Sequence, residues 1–298
     1  MTTFIYAVWK GNIEMIEYLY NIDNSIVNDC SIEKVDQVET QRHSALYMSI
    51  KNSDINSFYF LLNHGADPNS PENVQDNLLE IPIGVHSIDI FKELLKRGCK
   101  EKPDEKGSLL KKAILNHNEE ILKILIENGE EVSVSSFAEA CKCNVKFAKL
   151  LIDHISSDEL NKPFKGNFAV HWICELGDFE VAEKALIKGI DVNKLNDKGK
   201  SGFHFLSHIK SVNVKLMNLF FDYGFDANIT QDGNSVLGDF LITIYPNAQV
   251  IDCLLKHGAS VDSILSKRNM TIENYVKGIR NREIKKVFHD NLPNLFPE

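Results

Sequence analysis

The sequence predicts an all-α protein, a solenoid of about eight helix-turn-helix units closed by a C-terminal helical cap. Three observations carry that reading. Six glycines, Gly65, Gly98, Gly129, Gly189, Gly224 and Gly258, each close a hydrophobic helical stretch, at separations of 33, 31, 60, 35 and 34 residues. The longest interval is two units with one glycine missing, and a fixed period in the low thirties marks a stacked helical array. Apolar residues ahead of the glycines recur at helical spacing, and polar turn-forming residues follow them.

The unit ending at Gly189 is the clearest. A short helix opens near Phe168 and stops at Gly177, a residue suited to ending helices. A second helix runs from about Phe179 to Lys188, with Phe179, Val181, Ala182, Ala185 and Leu186 at helical spacing. Ile190-Asp191-Val192-Asn193 then leads into the polar turn Asn196-Asp197-Lys198-Gly199. Such a unit cannot bury its apolar face alone, so neighbours must stack to build a core.

On this grammar residues 1–290 read as one array, with units near 3–23, 43–69, 76–98, 107–129, 135–155, 166–193, 199–228 and 233–262, a cap over 270–290 and a tail over 291–298. The fifth unit has lost its glycine and closes at Asp153-His154-Ile155-Ser156. Residues 22–41 exceed a normal link and are acidic and polar, which predicts an exposed loop insertion. Pro82 falls inside the first helix of the third unit, where it should shorten or kink that helix and bend or loosen the stack. The cap carries a charged outer face, which suits the end of an array.

With 43% hydrophobic and 25% charged residues, the 298-residue chain has the composition of a soluble folded protein. No apolar run reaches the roughly eighteen residues that a membrane span requires, and the N-terminus lacks a basic region and a small-residue cleavage site. A net charge of −9 argues against binding a phosphate backbone. The basic cluster Lys277, Arg280, Arg282, Lys285 and Lys286 reads as a solvated helix face. Six scattered cysteines fit a reducing compartment and no disulfide framework, so a cytoplasmic location is expected, with nuclear entry left open.

No chemistry is legible. Cys141 and Cys143 are separated by one residue, point apart on a helix and have no second Cys/His pair at zinc spacing. The glycines fall one per unit and form no phosphate-binding loop. A Cys/His nucleophilic pair would need an orienting third group, and none of the ten histidines carries such a signature. The expectation is therefore no catalytic residue, no metal, no cofactor and no enzyme.

Two sets of segments carry a family resemblance. The first-helix openings are His43-Ser-Ala-Leu-Tyr47, Asn167-Phe-Ala-Val-His171, Ser201-Gly-Phe-His204 and Ser235-Val-Leu-Gly238. The closing turns are Leu61 to Asn69, Leu186 to Asn193, Phe220 to Asn228 and Leu254 to Asp262. On these the chain resembles the ankyrin repeat family, whose unit is about 33 residues with a T-P-L-H-x-A opening. The resemblance implies that His171 and His204 hydrogen-bond between neighbouring repeats, while Trp172 reads as core. It places Trp9 at the end of a first helix facing a concave groove, either as an anchor or as a cover for its own end.

The resemblance also implies a non-enzymatic module, expected to be monomeric, that binds a protein partner rather than nucleic acid or a membrane. Register with the family's variable positions nominates Trp9, Lys10, Lys51, Asn52, Phe164, Lys165, Asn167, Glu175, Leu176, Lys198, Lys200, His208 and Asn234 for partner contact. Asn69, Asn193 and Asn228 hold turns in this family and are candidates for an oxygen-dependent asparaginyl hydroxylase, Asn193 matching the context best. Viral and bacterial members act on host signalling or ubiquitin machinery. The alternative is a structural or self-associating segment of a larger assembly.

Overall fold

The computed structural model describes residues 2–28, 30–35, 38–69, 78–100, 107–206, 213–229, 235–243, 246–265 and 270–296, with backbone alone for 31–35, 38–42 and 264. The chain divides into two compact units, Met1–Glu130 and Glu131–Glu298. Stacked repeats touch only their neighbours, so no shared core obliges such a chain to form one body.

The first unit opens with α1 (Thr3–Trp9) and α2 (Ile13–Ile22), then a 3-10 turn over Asn24–Asn28 and the antiparallel strands β1 (Cys30–Val35) and β2 (Val38–Ser44). It continues with α3 (Ala45–Lys51), α4 (Ile55–Asn63), α5 (Glu80–Gly84), α6 (Ile88–Lys96), α7 (Ser108–Leu115) and α8 (Glu119–Glu127). First helices stack α1 on α3 on α5 on α7, while second helices pack α2 on α4 and α6 on α8.

The second unit comprises α9 (Val134–Cys143), α10 (Val145–Ile152), the one-turn α11 (Ser157–Leu160), α12 (Ala169–Leu176), α13 (Phe179–Ile187), α14 (Gly202–Leu206), α15 (Val214–Asp222), α16 (Val236–Leu241) and α17 (Ala248–Lys256). Short strands β3 (Ile264–Leu265) and β4 (Met270–Thr271) precede the cap helices α18 (Ile272–Gly278) and α19 (Arg282–Asn291). Here α9, α12, α14 and α16 form one row, and α10, α13, α15, α17 and α19 the other.

Local chemistry explains the repetition. Ser or Thr caps several of the first helices: Ser44 Oγ accepts from Tyr47 N–H at 3.0 Å and Ser235 Oγ from Gly238 N–H at 3.1 Å. Asn or Asp caps second helices: Asn12 accepts from Met15 N–H at 3.1 Å, Asp178 from Val181 N–H at 3.0 Å and Asn281 from Ile284 N–H at 3.2 Å. Each such cap contributes about 1 kcal/mol. The six periodic glycines end second helices in the left-handed region, from φ 78° at Gly98 to 94° at Gly65. In the fifth repeat His154, which follows the cap residue Asp153, takes that place without a positive φ. The chain stays right-handed there and runs into α11, which is why no glycine is needed.

Three expectations change on inspection. The exposed acidic loop over 22–41 is instead a 3-10 turn and most of a β-hairpin, with Cys30 opposite Ser44, Ile32 opposite Arg42 and a register shift at Glu33/Lys34. Backbone donors and acceptors pair there without needing an apolar side-chain pattern. Pro82 does coincide with a helix of only five residues, but the stack does not loosen, because α5 packs on both α3 and α7. Proline is tolerated in the first helical turn, where its missing N–H has no partner to lose; its carbonyl accepts from Ser87 N–H at 2.9 Å. Residues 292–296 do not trail away from α19: Phe296 is buried against Phe288, ring centroids 5.2 Å apart. The predicted start of the third unit at Asp76 lies outside the described residues.

Candidate partner-binding surface

Trp9 is the last residue of α1 and remains 41% exposed, although Phe4, Ile5, Ala7 and Val8 of the same helix are buried. The amphipathic spacing of α1 commits those four to the core and leaves Tyr6 and Trp9 outside. Their rings lie 5.7 Å apart, and Lys10 Nζ stands 4.0 Å over the indole centroid. Asn52, capping α3, donates through Nδ2 to the Trp9 carbonyl at 2.9 Å. Lys51 Nζ lies 5.5 Å over the Tyr47 ring. Four nominated residues, Trp9, Lys10, Lys51 and Asn52, therefore lie at the adjacent ends of α1 and α3, and Tyr6 joins them.

In the second unit the nominated residues sit on two successive turn tips and one helix end. Phe164 and Asn167 pair as an isolated antiparallel bridge, joined by a tight turn through Lys165 at φ 48° and Gly166 at φ 75°. Two left-handed residues in succession give the reversal that matches strand twist. Gly166 is also required sterically, since a Cβ there would overlap the Asp197 carboxylate. The next tip docks on the first: Asp197 N–H donates to the Gly166 carbonyl at 3.0 Å and Asn196 Nδ2 to Asn167 Oδ1 at 2.9 Å. Lys165, exposed, lies 3.5 Å from Glu139. Glu175 is exposed and Leu176 half-buried at the end of α12, with Lys198 exposed and Lys200 half-buried on the second tip. His208 and Asn234 lie outside the described residues.

Polar groups beneath these tips hold them in register. His171 is fully buried, with Nδ1 accepting from Phe168 N–H at 3.1 Å and Nε2 donating to the Lys200 carbonyl of the next repeat at 2.8 Å. Burial pushes its pKa below 6.5, opposed by the backbone bonds to Lys200 and Phe168 and reinforced by His204. His204 accepts at Nδ1 from Ser201 N–H at 3.0 Å. Trp172 is core, 2% exposed. Asn193 donates through Nδ2 to the Gly224 carbonyl and accepts at Oδ1 from Asp226 N–H, both at 2.9 Å. Asn228 repeats the pattern to Gly258 and Ser260 at 2.8 and 2.7 Å. Asn69 reaches the Gly98 carbonyl at 3.3 Å.

Sequence reasoning missed two members of this ladder. Asn161 bonds Gly189 and Asp191 at 3.1 and 2.8 Å, and Asn28 bonds Gly65 and Asp67 at 3.3 and 3.1 Å. Neither follows the Asp-x-Asn turn that identified the others, because α11 and the 3-10 turn deliver them. For Asn161 the available signal was its distance of 28 residues ahead of Gly189, close to the 29–31 of the others; Asn28, 37 residues ahead of Gly65, carried no such signal.

The six cysteines are free thiols. Burial pushes Cys99 and Cys253 up to about 11 and raises Cys141 and Cys174 further. A thiolate nucleophile requires the opposite shift. Among the described residues no group of three or more His, Cys, Asp or Glu could hold a metal ion, and no helix is long and apolar enough to cross a membrane.

Among the described residues eight helix hairpins and a C-terminal helix pair, arranged in two rows within each unit, define a stacked helical repeat protein. No protein-family model matches the chain. It is similar to the human transient receptor potential cation channel subfamily A member 1, 23% identical over 212 residues, which cover 65% of this chain and 18% of that protein. It is also similar to the ankyrin repeat protein FPV244 of fowlpox virus (strain NVSL), 23% identical over 249 residues, covering 76% of this chain and 34% of the viral protein. The chain thus spans about a fifth and a third of the curated relatives it matches. Among solved structures, the ankyrin repeat domain of Bcl-3 aligns with a TM-score of 0.50 at 16% identity, covering 71% of this chain and 97% of that domain. Its fold is an ankyrin-type helical solenoid, and in sequence the chain is similar to ankyrin repeat proteins.

Proposed function

We propose that the chain is a non-enzymatic module that binds a protein partner through its turn tips and first-helix ends. The observation that carries this reading is Trp9: a large ring, 41% exposed, held on a helix whose other apolar residues are buried. Exposed aromatics on rigid elements make strong interface anchors because little conformational freedom remains to be lost on binding. Lys10, Lys51 and Asn52 supply a polar rim in the first unit; Phe164, Lys165, Asn167, Glu175, Leu176, Lys198 and Lys200 supply mixed apolar and charged contacts in the second. His208 and Asn234 complete the nominated set by family register. A narrower reading, in which the partner belongs to a host's signalling or ubiquitin machinery, follows from the family resemblance alone.

Affinity purification of the intact chain and of Trp9→Asp from animal-cell lysate, with mass spectrometry, tests both readings. A partner retained by the native chain and lost with Trp9→Asp, about 2 kcal/mol or more of binding energy, supports the module. Equal recovery with both chains overturns the role of Trp9. A second reading, self-association, is favoured by the exposed stripe Met15, Tyr18 and Ile22, which share one face of α2 at 43%, 63% and 66% exposure. Sedimentation showing a concentration-dependent dimer, abolished by Tyr18→Glu, would establish it instead.

A further inference from the structure

The basic cluster near the C-terminus is not used by the surface described above, and its surroundings are not those of a plain solvated helix. Residues 270–296 carry five Lys/Arg against three Asp/Glu, in a chain whose net charge is −9. On α19, Arg282, Lys285, Lys286 and His289 fall at i, i+3, i+4 and i+7 and so share one face, while Ile284 and Phe288 are buried. Glu283 and Asp290 border that stripe, three residues before and four after Lys286, but neither forms an ion pair with it among the described residues. Lys277 of α18 pairs with Glu273 at 2.5 Å, whereas no carboxylate among the described residues pairs with Arg280, Arg282, Lys285 or Lys286.

Beside this stripe lies a cavity of about 250 Å³ lined by Val276, Lys277, Lys285, Leu295 and Phe296. The tail forms one wall: His289 Nδ1 donates to the Phe296 carbonyl at 2.8 Å, and Phe296 packs on Phe288. Leu295 is held beside the cavity yet is 41% exposed. The volume is below the roughly 300–1,000 Å³ of sites that enclose a small molecule. It suits a single anchoring side chain of a longer ligand.

We propose that this cleft docks an acidic peptide segment of a partner protein, one apolar side chain entering between Val276, Leu295 and Phe296 while its carboxylates meet Lys285, Lys286 and Arg282. Charge complementarity selects the occupant. Cations with no internal partner gain by meeting carboxylates, and the apolar floor adds a contact that a simple polyanion cannot use.

The test uses the full chain and a fluorescein-labelled eleven-residue peptide, alternating glutamate and serine around one central leucine, read by fluorescence anisotropy. Saturable binding is expected, weakened about tenfold when serine replaces the leucine and by at least as much in the Lys285→Glu, Lys286→Glu double variant. Leu295→Ser should weaken the leucine peptide without affecting the leucine-free one. Both variants change exposed side chains, so an unaltered circular-dichroism melt separates lost binding from lost fold. Equal binding with and without the leucine, displacement by heparin or anionic phosphatidylserine vesicles as effective as by unlabelled peptide, or no binding would each overturn the proposal.

Discussion

The two units use the same residue at the same register with different tightness. In the second unit Asn161, Asn193 and Asn228 each make two bonds to the following turn, at 2.7–3.1 Å. In the first unit Asn28 makes two at 3.3 and 3.1 Å, and Asn69 reaches Gly98 at 3.3 Å. His171 adds a buried bond to the next repeat in the second unit, at the helix position that Tyr47 holds in the first. The glycine period sets where each repeat ends, but polar side chains reaching across repeats determine how firmly neighbours are registered. Periodicity and cohesion are thus separate properties of one chain.

His171→Gln should expose that difference most. Removing a buried, doubly bonded imidazole costs about 1–3 kcal/mol, read as faster amide exchange across residues 164–206 with little change in α1–α4. The native residue also gives a pH signature. Because burial holds the folded pKa below 6.5, the neutral ring's stabilisation is complete above pH 6.5 and is lost as pH falls from there through the folded value. Melting temperature should therefore decline from pH 7.5 to pH 5 more steeply in the native chain than in His171→Gln. Parallel declines would remove His171 from the account.

A paired substitution sharpens the ladder comparison. Asn193→Ala removes two short bonds and should cost about 1–2 kcal/mol, while Asn69→Ala removes one long bond and should cost about 0.5 kcal/mol. Urea unfolding monitored by exchange in each unit gives both numbers. Equal costs would mean that the shorter distances carry no energetic weight.

What the sequence made legible follows from the range of the forces involved. The helices of the sixth repeat, its stop at Gly177 and the burial of Trp172 rest on spacing within about ten residues, and the structure agrees with them. The hairpin over 30–44 escaped because backbone pairing, not an apolar alternation, holds Ser31, Glu33, Glu39 and Gln41 in register. Asn28 and Asn161 escaped because their partners lie 30 or more residues away in Asp67 and Asp191. The tail was read as following the last helix because the contact of Phe296 with Phe288 returns across a turn with no periodic signal. For the candidate surface, register brought Trp9 and Asn52 together through family geometry. Tyr6 was missed because it lies one helical turn earlier than the family's variable position.

The smallest expected effect concerns the turn between the two helices of a repeat. Its left-handed residue is Gly11 at φ 64° and Gly177 at φ 68°, but Ser53 at φ 56°, His86 at φ 56° and His117 at φ 54°. Three of the five are therefore residues with a Cβ, all in the first unit. A side chain in that region costs about 1–2 kcal/mol, whereas glycine loses about 0.5–1 kcal/mol more chain entropy on folding. The two terms nearly cancel, so Ser53→Gly should stabilise the first unit by only a few tenths of a kcal/mol. By the same two terms Gly177→Ala should destabilise the second unit by only a few tenths of a kcal/mol. Chemical denaturation of both variants decides the point. If Ser53→Gly lowers stability, the serine is held by interactions beyond backbone geometry, and the looser ladder of the first unit would then be offset locally, turn by turn.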